Sequence, residues 1–330
     1  MSREPRVSVI IVNWNGAEHL RLCLPTLLSQ SFKSLEIIVV DNCSSDGSEE
    51  VARTFQAKWL ALENNLGLAP ALNRGAAIAA GDLLLFVNND MRFDPGFVAA
   101  LVEPLDKEDE VFASDGMQFN WDGTHRGHLA ARLTNVRPSP HSFTELVPGL
   151  YFYQQDVTEQ TDVFMASAAC MMVRRTLFEE LGGFDDRLPL GYEDVEIGWR
   201  AWIHGWRTVY VPNAICWHRV GSSGRSGEGA RLNFCGILRG RLLVATKLLP
   251  LRYAVHTWMV STVALARDVI RLRWQIAKDR IATLIHMVGI VPQLLREKKT
   301  LFGNADSSPQ EKLEFLLRLT PKNAPVDERN

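Results

Sequence analysis

The stretch GDLLLFVNND, residues 81–90, joins an apolar run directly to three polar residues. Leu83–Val87 has the length and the continuous apolar character of a strand that is buried on both faces. Asn88, Asn89 and Asp90 follow at once, so two amides and a carboxylate come at the end of that strand. Ligands of open parallel sheets bind beyond the carboxyl ends of the strands. The stretch therefore predicts a polar site at a sheet edge.

Three earlier segments, VSVIIV (7–12), LEIIVV (35–40) and the weaker KWLALE (58–63), also have the character of strands. Helical spacing in 17–30 and the Ala-rich run 68–80 predict helices between them. We expect an α/β fold with an open, mostly parallel sheet and helices on both faces. Each of these strands also ends in polar residues, namely Asn13 and Asn15, Asp41 and Asn42, and Glu63, Asn64 and Asn65.

Composition and charge exclude several classes of protein. The 330 residues are 46% hydrophobic, which is ordinary for a globular protein, and no stretch reaches the ~18 apolar residues of a membrane span. The N-terminus does not have the pattern of a signal peptide. Neither GxGxxG after the first strand nor GxxxxGK[ST] is present, so dinucleotide-binding and P-loop functions lack support. The five scattered cysteines favour reduced thiols and a cytoplasmic protein.

Four segments carry a family resemblance: VSVIIVNWNG, EIIVVDNCSSDGS, NNLGLAPALNRGAAIAAGDLLLFVNNDM and LGGFDDRLPLGYEDVEIGWRAWIHGWRTVYVPNAICWH. In this order they resemble the glycosyltransferases of family 2, and most of all their rhamnosyltransferase-like bacterial branch, over roughly residues 6–220. The resemblance implies a GT-A fold and transfer of a sugar from a nucleotide diphosphate to an acceptor hydroxyl, with inversion of the anomeric centre. It also implies a requirement for Mn²⁺ or Mg²⁺.

The resemblance gives the opening stretch a metal-binding role. Asn88-Asn89-Asp90 falls where the family carries its Asp-x-Asp motif, which implies that Asp90 binds the cation of the donor diphosphate. The family has an acid where this chain has Asn88, so the metal depends more on Asp90. His218, in CWHRVGSSG, matches a histidine that completes the metal shell. A turn before Pro95 and a purely structural histidine are the competing interpretations.

Further matches imply the donor-binding residues. Asp41 corresponds to the aspartate that accepts a hydrogen bond from the nucleobase ring N–H, which implies a UDP- or dTDP-sugar. An Asx turn before Ser44 would also explain Asp41. Gly75 could equally serve close helix packing. The residues expected on the donor side are Asn13, Asp41, Asn65, Gly67, Asn73, Gly75, Asn88, Asn89 and Arg200.

The segment GYEDVEIGWRAWIHGWRTV (191–209) predicts a helix with Glu193 and Asp194 in its first turn. The resemblance implies that Asp194 is the general base for the acceptor hydroxyl and that Glu193 contacts the acceptor or shapes the site. Acidic residues also favour helix N-termini for electrostatic reasons alone. Arg200 could support these carboxylates or bind phosphate, and a solvated helix arginine is the alternative.

The C-terminal part has a different charge. Residues 1–230 carry 19 Lys and Arg against 30 Asp and Glu, whereas residues 231–300 carry 13 against 3. Basic amphipathic helices can bind anionic membrane surfaces, so this segment could dock the enzyme on a membrane. A helical subdomain that packs on the sheet or on a partner subunit is the alternative. The Gly- and Ser-rich stretch 221–229 could be a mobile loop over the donor or a linker.

These inferences combine into one prediction. Residues 1–229 form the glycosyltransferase domain, 230–303 a basic helical segment, and 304–330 a polar tail with a short helix near 309–319. The expected function is inverting, metal-dependent transfer from a UDP- or dTDP-sugar, with a preference for dTDP-rhamnose, to a glycan or lipid-linked glycan in bacterial surface polysaccharide synthesis. A non-catalytic nucleotide-sugar-binding relative and a sugar nucleotidyltransferase are the alternatives. A homodimer is left open, and no nucleic acid partner is expected.

Overall fold

The centre of the molecule is a mixed β-sheet. A computed structural model describes residues 5–123, 126–128, 130–135, 143–155, 157–188, 190–219 and 227–319. Within these residues, ten strands form one sheet and three more form a small separate sheet. The strands are β1 Val7–Asn13, β2 Leu35–Asp41, β3 Lys58–Ala61, β4 Leu83–Asn88, β5 Met91–Phe93, β6 Val111–Asn120, β7 Arg126–His128, β8 Ala130–Thr134, β9 Phe143–Val147, β10 Leu150–Gln155, β11 Thr161–Val163, β12 Cys170–Arg174 and β13 Arg207–His218.

The first half of the large sheet is parallel, as the sequence predicts. Strands β3, β2, β1 and β4 lie side by side and run in one direction. Their register places Asn13 beside Asp41 and Val12 beside Asn88. The polar ends of three strands therefore lie next to one another at the carboxyl edge, which confirms the α/β prediction.

The second half mixes strand directions. Strand β12 runs antiparallel to both β4 and β6, and β13 runs parallel to β6. The end of β13 also pairs with the short strand β5, which brings His218 beside Met91. His218 is thereby placed next to the Asn88–Asp90 segment, although it lies 130 residues after Asn88. The small sheet has the order β8-β10-β9.

Helices cover both faces of the sheet, and β4 shows why its apolar run is continuous. Leu83, Leu85 and Val87 belong to one core, whereas Leu84 and Phe86 belong to the core on the opposite face. Every residue of such a strand must be apolar, because neither face meets water. The helices are α1 Ala17–Leu28, α2 Ser48–Thr54, α3 Leu68–Ala77, α4 Phe97–Lys107, α5 Arg175–Glu180, α6 Glu193–Ile203, α7 Gly227–Lys247, α8 Leu251–Ile270, α9 Trp274–Gly303 and α10 Pro309–Arg318.

The C-terminal helices pack on the α/β part through a buried ionic cluster. Lys247 Nζ of α7 lies 2.7 Å from Glu196 Oε1 of α6, 3.0 Å from Asp185 Oδ2 and 3.3 Å from Glu297 Oε2 of α9. Arg187 joins Asp185 to Glu297, at 2.6 and 2.7 Å. Buried charges are tolerated when they are paired in this way. The cluster therefore fixes α7 and α9 against α6.

Three predicted helices end earlier in the structure. The helix predicted in 17–30 ends at Leu28, the Ala-rich helix ends at Ala77 rather than at residue 80, and the helix predicted over 191–209 ends at Ile203, with Arg207 already in β13. Helix α7 begins at Gly227, close to the predicted domain boundary at 229–230, which stays a prediction. The predicted tail helix is present as α10, which starts with a capping box between Ser308 and Glu311. Most of the Gly- and Ser-rich stretch 221–229 lies outside the described residues. In the described part of the chain, none of the helices is long and apolar enough to span a bilayer.

Close packing of α3 on the sheet gives a testable consequence. A Cβ at Gly75 would lie 2.5 Å from Ile10 Cγ2 and 2.8 Å from Val40 Cγ2, inside the van der Waals contact distance. We expect Gly75→Val to lower the free energy of unfolding by about 1–3 kcal/mol, as other overpacked cores do. Urea denaturation measures this change.

Gly289→Val is the matched control. Gly289 also lies inside a helix, but a Cβ there has no atom within 4 Å among those described. We expect a change within about 0.5 kcal/mol, as at other surface positions. Equal losses in the two variants would contradict the packing role of Gly75.

Candidate active site

A carboxylate and an imidazole meet at the end of β4. Asp90 is buried, and its Oδ1 lies 3.2 Å from Nε2 of His218. The amide nitrogen of Asn88 lies 3.3 Å from the same Nε2. The other ring nitrogen, Nδ1, lies 3.2 Å from Oε1 of Gln118 on β6. Strands β4, β6 and β13 thus supply one compact group of polar side chains.

A second polar group lies at the ends of β1 and β2. The side-chain amide of Asn13 donates to Asp41 Oδ1, at 3.4 Å, and its carbonyl oxygen accepts from Asn89 at 2.8 Å. Ser44 donates its backbone N–H and its hydroxyl to the Asp41 carboxylate, at 3.0 and 2.5 Å. A Cβ at Gly16 would overlap the amides of Asn13 and Asn89. Asn89 connects this group to the Asn88–Asp90 segment.

Asn42 holds the third strand end. Its side chain accepts from the backbone N–H of Leu66 at 2.8 Å and donates to the carbonyl of Gly67 at 3.0 Å. Gly67 has a φ of +87°, which favours glycine, and its N–H donates to Asn65 Oδ1. This turn lies directly before α3, at the same edge of the sheet.

Helix α6 begins with the two predicted carboxylates. Asp194 is partly exposed, whereas Glu193 is buried, and no hydrogen-bond partner for Glu193 Oε2 lies among the described residues. Burial, with a smaller contribution from the Asp194 carboxylate, raises the pKa of Glu193 from 4.5 to about 8. Near neutral pH Glu193 therefore keeps its proton.

Contacts from α7 hold the turn that precedes these carboxylates. Tyr192 has a φ of +71°, an uncommon conformation for a residue other than glycine. Its hydroxyl donates to the carbonyl of Leu146 at 2.7 Å and accepts from Arg241 Nε at 3.1 Å. A Cβ at Gly240 would lie 2.5 Å from Tyr192 Cγ, and one at Gly236 would overlap the carbonyl of Leu190. The α7 glycines therefore let this helix pack directly on the turn.

One segment connects the α6 carboxylates to the sheet edge. Cys170 pairs with Val87 and the N–H of Asn88 donates to the carbonyl of Ala169, so residues 165–169 run past the carboxyl end of β4. Just before them, Phe164 packs edge-on against Trp199 of α6, with ring centroids 5.1 Å apart. Helix α6 is thus packed on the segment that borders the Asp90 group.

Three of the predicted donor-side residues make other contacts. Asn73 donates to the carbonyl of Phe184 and to Asp186 Oδ1, at 2.9 and 2.7 Å, and accepts from the N–H of Phe184. Gly75 lies against the sheet, which is the packing alternative. Arg200 is buried against Glu196 at 2.6 Å and donates to the carbonyls of Leu181 and Gly183. Arg200 is therefore neither solvated nor directed at a phosphate, and we omit it from the donor site.

The Asp90 group fits a hard divalent cation that is shared with phosphate oxygens. With Nδ1–H donated to Gln118, the Nε2 lone pair of His218 would face the Asp90 carboxylate, and a cation between them would favour this arrangement. Among the described residues, no three His, Cys, Asp or Glu side chains gather as metal ligands. Mg²⁺-type sites need only one or two carboxylates, because water and substrate fill the rest of the shell.

Comparison with known families identifies the chain. Residues 8–182 match the profile described as "Glycosyl transferase family 2", and residues 141–227 match "Glycosyl transferase family group 2". The first match covers more than half of the protein. This chain belongs to glycosyl transferase family 2. Its members transfer glycosyl groups, so the predicted enzyme class is confirmed.

The similar curated proteins include a rhamnosyltransferase. The chain is 29% identical over 237 residues to the N-acetylglucosaminyl-diphospho-decaprenol L-rhamnosyltransferase of Mycobacterium tuberculosis (strain H37Rv), covering 66% of this chain and 77% of that protein. It is 30% identical over 234 residues to the O-antigen biosynthesis protein RfbC of Myxococcus xanthus, covering 67% of this chain and 18% of that protein. These matches confirm the rhamnosyltransferase-like branch.

Two solved structures share the fold. The mannosyltransferase PcManGT from Pyrobaculum calidifontis, in complex with GDP-Man and Mn²⁺, superposes with a TM-score of 0.54 at 19% identity, covering 96% of this chain and 85% of that one. GalNAc-T7 with UDP, GalNAc and Mn²⁺ gives a TM-score of 0.55 at 18% identity, covering 74% and 51%. The expected GT-A fold is confirmed.

Several residues that support the site had no role in the sequence prediction. Gln118 orients His218, Asn42 holds the turn at Gly67, and Lys247 neutralises Glu196 behind α6. Asn42 was recognisable as a strand-end amide beside Asp41. Gln118 and Lys247 carry no such local signal, because their partners lie 100 and 51 residues away.

The shifted Glu193 predicts a pH-dependent stability. The folded protein keeps this proton up to about pH 8, whereas the unfolded chain releases it near its ordinary pKa of 4.5. The unfolded state binds fewer protons in that range, so stability falls as pH rises, by up to about 1.4 kcal/mol per pH unit. Glu193→Gln should remove this contribution, so its stability relative to the wild type should increase from pH 5 to pH 8.

Urea denaturation at several pH values measures the difference. Glu50→Gln, at an exposed position on α2, is the control and should follow the pH dependence of the wild type. Parallel curves for Glu193→Gln and the wild type would show that Glu193 is not protonated in the folded protein.

Proposed function

We propose that this enzyme transfers a sugar, with inversion, from a UDP- or dTDP-sugar to a hydroxyl of a lipid-linked glycan in bacterial surface polysaccharide synthesis. The main supporting observation is the convergence of Asp90, His218 and Asn88 at the carboxyl end of β4, next to the Asn13–Asp41 group. In a bound nucleotide diphosphate, the phosphates would lie at the Asp90–His218 group and the base at the Asn13–Asp41 group.

On the donor side, Asp41 would bind the nucleobase. Hydrogen bonds from Ser44 and Asn13 hold its carboxylate in a fixed orientation. A carboxylate can accept a hydrogen bond from the ring N–H of uracil or thymine. Asn42 and the turn at Gly67 would border the ribose. Asn73 positions the 184–186 loop in this proposal instead of contacting the donor.

Asp90 and His218 would hold the divalent cation. When bound, Mn²⁺ or Mg²⁺ supplies positive charge that stabilises the departing diphosphate. The solved structures of PcManGT and GalNAc-T7 each contain Mn²⁺, which supports a divalent cation for this chain without selecting one. Gln118 keeps the His218 ring in position from behind.

Asp194 would act as the general base. The acceptor oxygen forms a bond to the anomeric carbon, its proton passes to the Asp194 carboxylate, and the bond from the anomeric carbon to the diphosphate breaks with its electron pair. Glu193, which stays protonated, can donate a hydrogen bond to the acceptor. Because it is uncharged, it does not repel the Asp194 carboxylate. A positioned carboxylate base contributes about 10²–10⁴ in rate.

The name of one relative supports a choice of acceptor and donor sugar. The mycobacterial protein is named for transfer of L-rhamnose to N-acetylglucosaminyl-diphospho-decaprenol, so we propose dTDP-rhamnose and a diphospholipid-linked sugar as the substrates. The reaction would then take place at a membrane surface. The non-catalytic alternative rests on Asn88 alone, and the presence of Asp90, Asp194 and His218 favours catalysis.

The division of roles between carboxylates can be tested by substitution. Asp194→Asn should lower kcat by about 10²–10⁴ and leave donor affinity unchanged, because the base is used only in the chemical step. Asp90→Asn should weaken donor binding in the presence of Mn²⁺. Transfer of a radiolabelled sugar and calorimetric titration of the donor measure the two effects.

Asp109→Asn, at a fully exposed position, is the control and should behave as the wild type. Full activity in Asp194→Asn would refute the assignment of the base. Unchanged Mn²⁺-dependent donor binding in Asp90→Asn would refute the metal role.

The base specificity can be tested with a matched pair of nucleotides. UDP and CDP have similar sizes, but cytosine lacks the ring N–H that Asp41 would bind. We expect UDP or dTDP with Mn²⁺ to raise the melting temperature in a thermal-shift assay more than CDP does. In Asp41→Asn this preference should disappear, and an equal response of the wild type to CDP would contradict the proposal.

A further inference from the structure

The hairpin of α8 and α9 exposes many apolar side chains for a surface helix pair. Its outer face is apolar at helical spacing, so that side chains on each helix project to the same side. The exposed apolar residues of this face are Leu251, Val255, Met259, Val263 and Ile270 on α8, Leu272 in the bend, and Trp274, Ile281, Ile285, Val288 and Leu295 on α9. We call this set the outer apolar face.

The inner side of the same hairpin combines an apolar core with buried polar groups. Its apolar residues Leu284, Met287 and Leu294 pack in one core with leucines of α7. Asp268 and Arg280 are buried and paired, with Arg280 Nε donating to Asp268 Oδ2 at 3.0 Å. Thr257, Ser261 and Thr283 are also buried there, each with its hydroxyl bonded to a backbone carbonyl of its own helix. The hairpin therefore carries apolar side chains on both sides, whereas a surface helix in water ordinarily has one apolar stripe that faces the core. The second, exposed apolar side points to an apolar environment outside the hairpin.

The bend between the helices brings three exposed apolar side chains together. Ile270 is 79% exposed, Leu272 69% and Trp274 55%. Arg271 and Arg273 alternate with them and are also exposed. An apolar tip with a tryptophan and flanking arginines is suited to the boundary between acyl chains and headgroups.

The exposed charges of the hairpin have one sign. Between residues 251 and 296 the only acids are Asp268 and Asp279, and both are buried. The exposed basic residues are Arg252, Arg267, Arg271, Arg273, Lys278 and Arg296. A face that combines apolar side chains with positive charge alone is complementary to an anionic bilayer.

We propose that the outer apolar face, led by Ile270, Leu272 and Trp274, docks the enzyme on an anionic lipid bilayer. A second copy of the chain is a poorer occupant, because a contact between two copies of this face would bring together exposed charges of one sign, while the two acids of residues 251–296 are buried. Helix α9 is joined to α6 through Glu297 and Lys247, so the docked hairpin would set the orientation of the catalytic carboxylates relative to the bilayer.

Vesicle flotation of the full chain tests this proposal without substrate. The protein should float with phosphatidylcholine vesicles that contain phosphatidylglycerol, and salt should weaken the binding. Ile270→Ser combined with Leu272→Ser and Trp274→Ser should lower the partition coefficient at least tenfold. Arg271→Gln with Arg273→Gln should lower it roughly 25-fold at low salt, since each basic residue near the surface contributes about fivefold.

Leu22→Ser with Leu28→Ser is the matched control, because both leucines are exposed on α1. This control should float as the wild type does, and all variants should unfold at the wild-type urea concentration. Absence of flotation, or equal loss in the α1 control, would overturn the proposal. So would a solution dimer that the triple substitution dissociates, since the face would then be covered by a second copy.

The acceptor proposal and the docking proposal fail separately. Flotation uses lipid alone, and donor binding by the soluble protein needs no vesicle. A protein that floats but does not transfer a sugar would support the docking surface and overturn the proposed function. A protein that transfers a sugar but does not float would overturn only the docking surface.

Discussion

The parallel pairing of β1 with β2 and β4 is the constraint on which the rest of the structure depends. The register Asn13–Asp41 and Val12–Asn88 brings polar residues from three distant parts of the chain to one edge. A shift of this register is unfavourable because it would carry polar strand-end residues such as Asn13 and Asp41 into the apolar interior. The proposed donor-binding side of the site is therefore a consequence of sheet packing.

The proposed catalytic side depends on a different set of contacts. Helix α6 carries Glu193 and Asp194, and its buried Glu196 is neutralised by Arg200 and Lys247. Its apolar side, with Val195, Trp199 and Trp202, shares one core with residues of α7 and α10. Tyr192 is held in its unusual conformation by Arg241 and by the close approach of Gly240. The C-terminal helices thus form part of the support of the site.

Much of the parallel half of the fold could be predicted from sequence. Leu83–Val87 and its counterparts are continuous apolar runs with polar ends, and each carries its own signal. The antiparallel position of β12 could not be predicted, because a short apolar run does not reveal its direction or its neighbours. The same limit applies to Asn73, whose partners Phe184 and Asp186 are more than a hundred residues away. Arg200 and Glu196 have the spacing of an ion pair, but their burial depends on loops that only the fold brings together.

The cluster around Lys247 also bears on how the family could be recombined. Removing α7 would leave Glu196 and Asp185 buried with fewer positive partners. This would lower the free energy of unfolding strongly, because a buried charge that loses its partner is costly. Exchange of α6 between relatives would therefore need to transplant α6, the 183–188 loop and α7 as one unit. A chimera joined at the end of β13 would separate charges that are buried as partners, even though the parallel half of the sheet would be intact.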